Sequence, residues 1–208
     1  MREILIKPEL YKFKTFAEFA KEFNLGKDDL IFTNEFIYTP FMKDLNLECQ
    51  YVFQEKFGLG EPSEEMIEAI FAAMDKLEYS RVIAIGGGAI MDLGKLLSLK
   101  RTGTVHELFF KKCEVIPEKQ LIAIPTTCGT GSEVTNVAVA SIPSLDLKKG
   151  IADEQTYADT AVLIPESLQG LPDYVFATSS IDAFIHGIES YLSPKATRDS
   201  QMFSREAM

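Results

Sequence analysis

The apolar positions of this chain follow two patterns that alternate along its length. Short continuous apolar runs bounded by polar residues are typical of strands buried on both faces, and apolar residues spaced three or four apart are typical of helices. The first pattern predicts strands at residues 30–33, 51–53, 81–85, 121–124 and 161–164, with a further extended segment at 136–142. The second predicts helices at residues 16–23, at 63–77, and from the glycine run at 86–88 as far as Leu99.

The order of these elements predicts the fold class. Strands that alternate with helices form a mostly parallel sheet covered on both faces, and ligands bind such sheets at the carboxyl ends of the strands. We therefore predict a Rossmann-like α/β domain over residues 1–164. After Pro165 the pattern changes, and from Ser179 it is helical, with Ser179 or Ser180 as the N-cap and an apolar stripe formed by Ile181, Phe184, Ile185, Ile188 and Leu192. Residues 165–208 are predicted to begin an all-helical domain.

Composition excludes some partners and compartments. The formal net charge is −10, with 31 acidic and 21 basic residues, so we expect no nucleic acid and no anionic membrane surface as a partner. The three cysteines are widely spaced, which favours a reducing compartment over a disulfide framework. The apolar run at residues 4–6 is too short for a signal peptide, and no stretch reaches membrane-spanning length. A cytoplasmic globular protein is expected.

Two loops that follow predicted strands carry the candidate cofactor chemistry. Gly86, Gly87 and Gly88 follow the strand at 81–85 and open a helix. Backbone N–H groups of such a turn, together with the positive end of the helix, are suited to a pyrophosphate. The second loop, residues 125–135, follows the strand at 121–124 and supplies small hydroxyls and two glycines suited to the same dinucleotide.

A third cluster lies on the predicted helix after Ser179. Asp182, His186 and Glu189 are spaced four and three residues apart, which places a carboxylate and an imidazole on one helix face within reach of a single ion. We expect Asp182 and His186 to be the ligands and Glu189 to make a packing or supporting contact.

These three motifs, in this order, resemble those of the iron-containing (group III) alcohol dehydrogenases. The resemblance implies a Rossmann-like sheet followed by a helical metal-binding domain, the architecture shared with dehydroquinate synthase. The segments at 32–36 and 57–63 and the cysteine at 128 are most similar to members that interconvert 4-hydroxybutyrate and succinate semialdehyde with NAD. The implied activity is hydride transfer between NAD(H) and a small alcohol or aldehyde, in an enzyme that commonly forms homo-oligomers.

The resemblance also implies a set of cofactor-binding residues. Asn34 stands where the family reads the adenosine ribose, and an amide there favours NAD over NADP. Lys148 matches a lysine that contacts the cofactor, with Lys149 as the alternative. The remaining matches to the pyrophosphate and nicotinamide contacts are Gly87, Gly88, Ala89, Asp92, Thr126, Thr127, Thr130 and Ser132.

Asp182 and His186 match the first two metal ligands of the family, and Fe²⁺ is the implied ion, with Zn²⁺ as the alternative. Asp92 and His186 are the candidate catalytic residues. A metal at this position lowers the pKa of the alcohol and stabilises the alkoxide as hydride leaves. A distal substrate carboxylate would need a cation, which the sequence does not identify.

The chain departs from the family pattern at the metal site. The family uses one Asp and three His, whereas the only other histidine here is His106, which we expect in an exposed loop. We therefore expect a partial chain, and keep two alternatives: a nucleotide-binding fragment without catalysis, and a glycerol dehydrogenase-like relative with another substrate. Lys95 is expected to pair with Asp92 or to contact a ligand, and Cys128 to be a small buried side chain.

Overall fold

The computed structural model describes residues 7–208, so the apolar run at 4–6 lies outside the described residues. Six parallel strands form one sheet in the order β1-β8-β5-β4-β2-β3, which confirms the predicted α/β fold class. Two further strands, β6 and β7, form a separate antiparallel hairpin. The strands are β1 (Glu9–Lys12), β2 (Asp29–Thr33), β3 (Gln50–Phe53), β4 (Arg81–Gly86), β5 (Gln120–Pro125), β6 (Val137–Ile142), β7 (Leu147–Ala152) and β8 (Thr160–Leu163).

The central strands read as unbroken apolar runs because both faces of the sheet are covered. Successive residues of β4 point to opposite faces: Val82 and Ala84 join one core, and Ile83 and Ile85 join the other. All four side chains are fully buried. The sheet therefore lies between two hydrophobic cores. Because both faces are covered, the ends of its strands are the part of the sheet that a ligand can reach.

The described residues form seven α-helices, of which the first five in chain order pack against these cores. They are α1 (Phe16–Glu22), α2 (Glu35–Phe41), α3 (Glu64–Met74), α4 (Gly88–Leu97), α5 (Val105–Phe109), α6 (Asp173–Leu192) and α7 (Arg198–Ala207). The hydroxyls of Thr15 and Ser63 accept hydrogen bonds from backbone N–H groups in the first turns of α1 and α3, as their positions before apolar helical patterns predict.

The connections place a topological switch point between β2 and β4. After β2 the chain passes through α2 to β3 on one side, whereas after β4 it passes through α4 to β5 on the other. Ligands of open α/β sheets bind where the connections diverge in this way, at the carboxyl ends of the strands. The residues that follow β2, β4 and β5 therefore border one crevice.

Three predicted helix boundaries are wrong. Helix α3 ends at Met74 rather than at residue 77, because Leu77 N donates to the Met74 carbonyl in a turn that follows the helix. Helix α4 ends at Leu97, because Leu99 leaves the helix to form an isolated bridge with Pro117. Helix α6 begins at Asp173, six residues before the predicted start, with Pro172 as its N-cap. Ser179 and Ser180 are thus inside the helix and do not cap it, and the Ser179 hydroxyl donates to the Phe176 carbonyl instead.

The predicted apolar stripe of α6 is largely exposed to solvent in the structure. Ile181 is 58% exposed and Leu192 is 71% exposed, and only Gly187 is buried in this helix, where it packs against α7. The division of the chain at residue 164 stays a prediction. None of the helices between residues 7 and 208 is long and apolar enough to cross a bilayer.

Candidate functional site

The two glycine- and threonine-rich loops lie side by side at one edge of the sheet. Gly86 and Pro125 are register partners at the ends of β4 and β5, and Thr126 N donates to Gly86 O at 3.0 Å. A Cβ atom at Gly88 would lie 2.8 Å from Thr130 Cγ2, so the close approach of the loops requires glycine there. The prediction that both loops share one rim is confirmed.

A cavity of about 430 Å³ opens between these loops, the β6 strand and helix α6. It brings together six of the predicted site residues, which are Gly88, Ala89, Asp92, Thr130, Ser132 and His186. Sequence reasoning did not single out the other lining residues, which are Glu61, Pro62, Thr135, Val137, Val139, Ala140 and Ser141. The valines and Ala140 make part of the lining apolar.

Asp92 is held on the polar side of this cavity by three donors. Its Oδ1 accepts a 2.5 Å hydrogen bond from Ser132 Oγ, and its Oδ2 accepts one of 3.1 Å from Val139 N. The ammonium group of Lys95 lies 3.5 Å from Oδ1. With its side chain 16% exposed, Asp92 presents a fixed carboxylate at the cavity surface.

Lys95 has a larger role than the predicted pairing with Asp92. Its side chain is completely buried, and Nζ donates to Ser132 Oγ at 2.7 Å, to Val137 O at 2.6 Å and to Thr135 Oγ1 at 3.2 Å. Burial lowers the pKa of Lys95, and the nearby Asp92 carboxylate opposes that shift. Lys95 therefore joins α4 to the loop that follows β5, and it is not exposed for contact with a ligand.

The threonines of the second loop do not all face this cavity. Thr126 is buried beneath the loop, and Thr127 lines a separate cavity of about 330 Å³ together with Cys128, Glu133 and Leu163. Burial raises the pKa of the Glu133 carboxyl, whose Oε2 has no hydrogen-bond partner among the described residues. The predicted dinucleotide residues thus border two cavities on either side of one loop.

Asn34 lies at the carboxyl end of β2, beside the switch point. It is 6% exposed, and its Nδ2 donates to Gln54 Oε1 at 3.2 Å. The next residue, Glu35, begins α2, and its backbone N–H donates to Glu55 Oε1 at 2.8 Å. Two polar side chains that follow β3 therefore contact the start of α2, an arrangement that depends on strand order and that the sequence motifs did not reveal.

The two candidate lysines of β7 point in different directions, as alternation along a strand requires. Lys148 Nζ lies 2.5 Å from Oε1 of Glu61, which lines the first cavity. Lys149 Nζ lies 4.7 Å from the centre of the Phe110 ring, against α5. Of the two, the geometry favours Lys148 for contact with a ligand at the rim.

Helix α6 brings the candidate metal ligands to the same rim. Asp182 Oδ1 and His186 Nε2 are 3.8 Å apart, which two metal–ligand bonds of about 2.1 Å can span. A Cβ atom at Gly129 would lie 2.7 Å from Ser179 O and 2.9 Å from Asp182 Oδ2, so this glycine allows the helix to seat on the loop. Glu189 is exposed, and its predicted supporting contact stays a prediction.

The donor set of Asp182 and His186, one carboxylate oxygen and one imidazole nitrogen, suits Fe²⁺ or Zn²⁺. Within residues 7–208 no group of three or more His, Cys, Asp or Glu side chains is arranged to hold a metal ion. These two residues therefore fit part of a coordination sphere.

Two further predictions are wrong. His106 is half-buried in the first turn of α5, where Nδ1 lies 3.4 Å from Glu64 Oε1 and the ring stacks on Phe110. Cys128 is exposed because it lies in the turn that follows β5 rather than in a core, and its Sγ lies 3.2 Å from Ser179 Oγ and 3.4 Å from Ser180 Oγ. Hydrogen bonding with Ser179, and next with Ser180, lowers the pKa of the Cys128 thiol.

Comparisons with known proteins agree with this geometry. A family model described as iron-containing alcohol dehydrogenase matches residues 9–165. The chain is 50% identical over all 208 residues to the 4-hydroxybutyrate dehydrogenase of Clostridium kluyveri, and spans 56% of that protein's length. It is 35% identical over 150 residues to the sulfoacetaldehyde reductase of Bilophila wadsworthia, a match that covers 71% of this chain and 39% of the reductase.

Solved structures show the same fold. An iron-containing alcohol dehydrogenase from Thermotoga maritima superposes with a TM-score of 0.82 at 25% identity, over 98% of this chain and 59% of that one. A sulfoacetaldehyde reductase from Bifidobacterium kashiwanohense, solved in complex with NAD⁺, has a TM-score of 0.75 at 21% identity, over 91% and 53% of the two chains. The chain therefore belongs to the iron-containing alcohol dehydrogenase family.

Proposed function

We propose that this chain carries the dinucleotide-binding part, and two metal ligands, of an oxidoreductase that transfers hydride between NAD(H) and a short-chain alcohol or aldehyde. The observation that carries the proposal is the single cavity lined by Gly88, Ala89, Asp92 and His186. Gly88 and Ala89 of the proposed anion-binding turn and His186, a candidate metal ligand, all line this one space, which supports a common ligand. A dinucleotide that lies along this rim brings its nicotinamide end to helix α6.

The residues of the cavity have distinct proposed roles. Backbone N–H groups at Gly87, Gly88 and Ala89 bind the pyrophosphate at the N-terminus of α4. Asp92, held by Ser132, orients the nicotinamide half, and Val137 and Val139 exclude water from its other side. Fe²⁺, or alternatively Zn²⁺, when bound supplies a Lewis acid that polarises the substrate oxygen. Asp182 and His186 hold two of its coordination positions.

NAD is the proposed cofactor in preference to NADP. The backbone N–H group of Glu35 already donates a hydrogen bond to the Glu55 carboxylate. It is therefore not free to donate to a 2′-phosphate bound near Asn34. A second anion beside Glu55 would be repelled. The NAD⁺ complex of the sulfoacetaldehyde reductase of Bifidobacterium kashiwanohense supports the same cofactor.

The proposed substrate pair is 4-hydroxybutyrate and succinate semialdehyde. Its support is the 50% identity to the Clostridium kluyveri 4-hydroxybutyrate dehydrogenase across this whole chain. Association with a second copy is also proposed, because β1 is an edge strand whose four residues are all exposed and which pairs with β8 alone in the described sheet.

Two measurements test the proposal in sequence. Calorimetric titration with NAD⁺ tests dinucleotide binding, with Gly88→Val as the variant that fills the space between the loops. NADH oxidation with succinate semialdehyde, after anaerobic loading with Fe²⁺, then tests turnover, with His186→Ala as the control. Binding with turnover supports the full proposal, and binding without turnover limits this chain to nucleotide binding. Absence of NAD⁺ binding overturns it.

A further inference from the structure

The side chain of Gln54 is buried between Asn34 and a loop backbone, away from the cavity that holds the catalytic candidates. Gln54 follows β3, is 4% exposed, and forms its hydrogen bonds at both ends of its amide. Its Nε2 donates to the carbonyl oxygen of Gly60 at 3.2 Å and its Oε1 accepts from Asn34 Nδ2 at 3.2 Å. Nothing in the proposed function so far uses this residue.

The orientation of both amides follows from the Gly60 carbonyl. A backbone carbonyl only accepts hydrogen bonds, so the NH₂ group of Gln54 must face it and the Gln54 oxygen must face Asn34. That oxygen in turn requires a donor, so Asn34 must present its NH₂ group to Gln54. The chain of contacts therefore fixes Asn34 Oδ1 on the side away from Gln54.

Asn34 Oδ1 has no partner although the residue is buried. Asn34 is 6% exposed, it makes no side-chain capping bond to α2, and its Oδ1 accepts no hydrogen bond from any described residue. Asn34 Oδ1 is nevertheless accessible. Among the described residues, the side-chain atoms that are both fully enclosed and without a hydrogen-bond partner are Glu55 Oε2 and Glu133 Oε2. An acceptor thus stands open to a ligand at the carboxyl end of β2.

From this geometry we infer that Gln54 is a positioning residue that selects NAD over NADP by fixing the amide of Asn34 with its oxygen towards the ribose. This inference rests on the proposed function. An outward oxygen accepts a hydrogen bond from a ribose hydroxyl but offers no donor to a phosphate. An outward NH₂ group would instead donate to a 2′-phosphate, so the direction of the amide decides which dinucleotide is favoured.

The test compares NAD⁺ and NADP⁺ binding by calorimetry in the wild-type chain and in Gln54→Met. The variant keeps the side-chain volume but frees the Asn34 amide to turn, so the ratio of the NADP⁺ to the NAD⁺ dissociation constant should fall about two- to tenfold. Gln50→Met is the matched control. Gln50 begins β3, the strand that Gln54 follows, but its NH₂ group donates to the backbone carbonyls of Lys27 and Glu78. The ratio of the NADP⁺ to the NAD⁺ dissociation constant should not change in Gln50→Met.

Rescue separates positioning from a merely structural role. In the double variant Asn34→Asp with Gln54→Met, both side-chain oxygens at position 34 are acceptors and their charge repels a 2′-phosphate, so the ratio should return at least to the wild-type value whichever way the side chain turns. A structural defect caused by Gln54→Met would instead weaken NAD⁺ binding in both variants. An unchanged ratio in Gln54→Met, with wild-type NAD⁺ binding intact, overturns the inference and leaves the proposed function standing, whereas absence of wild-type binding overturns the proposed function itself.

A measurement on the wild-type chain covers the case in which Gln54→Met does not fold. The side-chain NH₂ resonances of Asn34 are followed by ¹⁵N NMR during titration with NAD⁺. Because the NH₂ group stays bonded to Gln54, it should keep its protection against exchange with solvent while the backbone resonances of Gly87 and Gly88 move. Loss of that protection on addition of NAD⁺ would show that this group, rather than Oδ1, turns to the ligand, and would overturn the inference.

Discussion

The ammonium group of Lys95 lies 2.7 Å from the hydroxyl of Ser132, and the same hydroxyl donates to Asp92. Lys95 and Asp92 belong to the helix that follows the glycine run, whereas Ser132 belongs to the loop after the neighbouring strand. One buried cation thus connects the two motifs that border the cavity. The geometry of the cavity depends on this connection.

Replacement of Lys95 by Met should lower the free energy of unfolding by about 1–3 kcal/mol, because it removes the donor to a partly buried carbonyl and to two hydroxyls. Chemical denaturation monitored by circular dichroism measures the change. Lys76→Met is the matched control, because Lys76 is exposed, and its effect should remain within about 0.5 kcal/mol. Equal effects of the two substitutions would contradict the role of Lys95.

The seating of α6 on the second loop depends on Gly129. An alanine there places Cβ 2.7 Å from the backbone oxygen of Ser179, which cannot move without displacing the helix. Gly129→Ala should therefore increase amide hydrogen exchange over residues 173–192, as measured by mass spectrometry. Gly26→Ala should leave exchange there unchanged, because no atom lies within 4 Å of its Cβ position. Protection of α6 that survives Gly129→Ala would argue against this contact.

The choice between the two lysines of β7 can be tested by binding. Lys148→Met should weaken NAD⁺ binding several-fold, with little change in stability because its ion pair with Glu61 is exposed. Lys149→Met should leave NAD⁺ affinity unchanged, since Lys149 packs on Phe110. Calorimetry measures the NAD⁺ affinity of both variants. A larger loss of affinity in Lys149→Met than in Lys148→Met would assign the cofactor contact to Lys149 instead.

Cys128 and Cys49 should differ in reactivity. Hydrogen bonding with Ser179 and Ser180 lowers the pKa of Cys128 from its usual value, whereas burial raises the pKa of Cys49 to about 11. As pH rises, the thiolate of Cys128 forms first, so its alkylation by iodoacetamide should reach half-maximal rate at a lower pH than that of Cys49. Ser179→Ala should move the Cys128 midpoint upwards. Mass spectrometry of the labelled peptides gives both midpoints, and faster labelling of Cys49 would refute the prediction.

Much of the sheet is predictable from the sequence because its central strands are buried on both faces and therefore appear as continuous apolar runs. Strand β7 is not predictable in this way, because it has no continuous apolar run: Lys148, Lys149 and Gly150 interrupt it. Strand β1 is also missed, because all four of its residues are exposed at the edge of the sheet. The start of α6 at Asp173 precedes the apolar stripe that marked the helix, so its first turns escaped prediction.

The site was predictable where the chemistry lies within one segment. The glycine run and the helical spacing of Asp182 and His186 are of this kind, and the structure places both at one rim. The pairing of Asn34 with Gln54 depends on which strands are neighbours, and the burial of Lys95 depends on how a helix packs on a loop. These are tertiary contacts that no local pattern records.

The most direct test of the whole account is a crystal structure of this chain with bound NAD⁺. The account predicts the pyrophosphate against the backbone of Gly87, Gly88 and Ala89, with the nicotinamide ring in the cavity between Asp92 and His186. A dinucleotide bound elsewhere, for example with its pyrophosphate in the cavity beside Thr127 and Glu133, or with its nicotinamide directed away from α6, would contradict it.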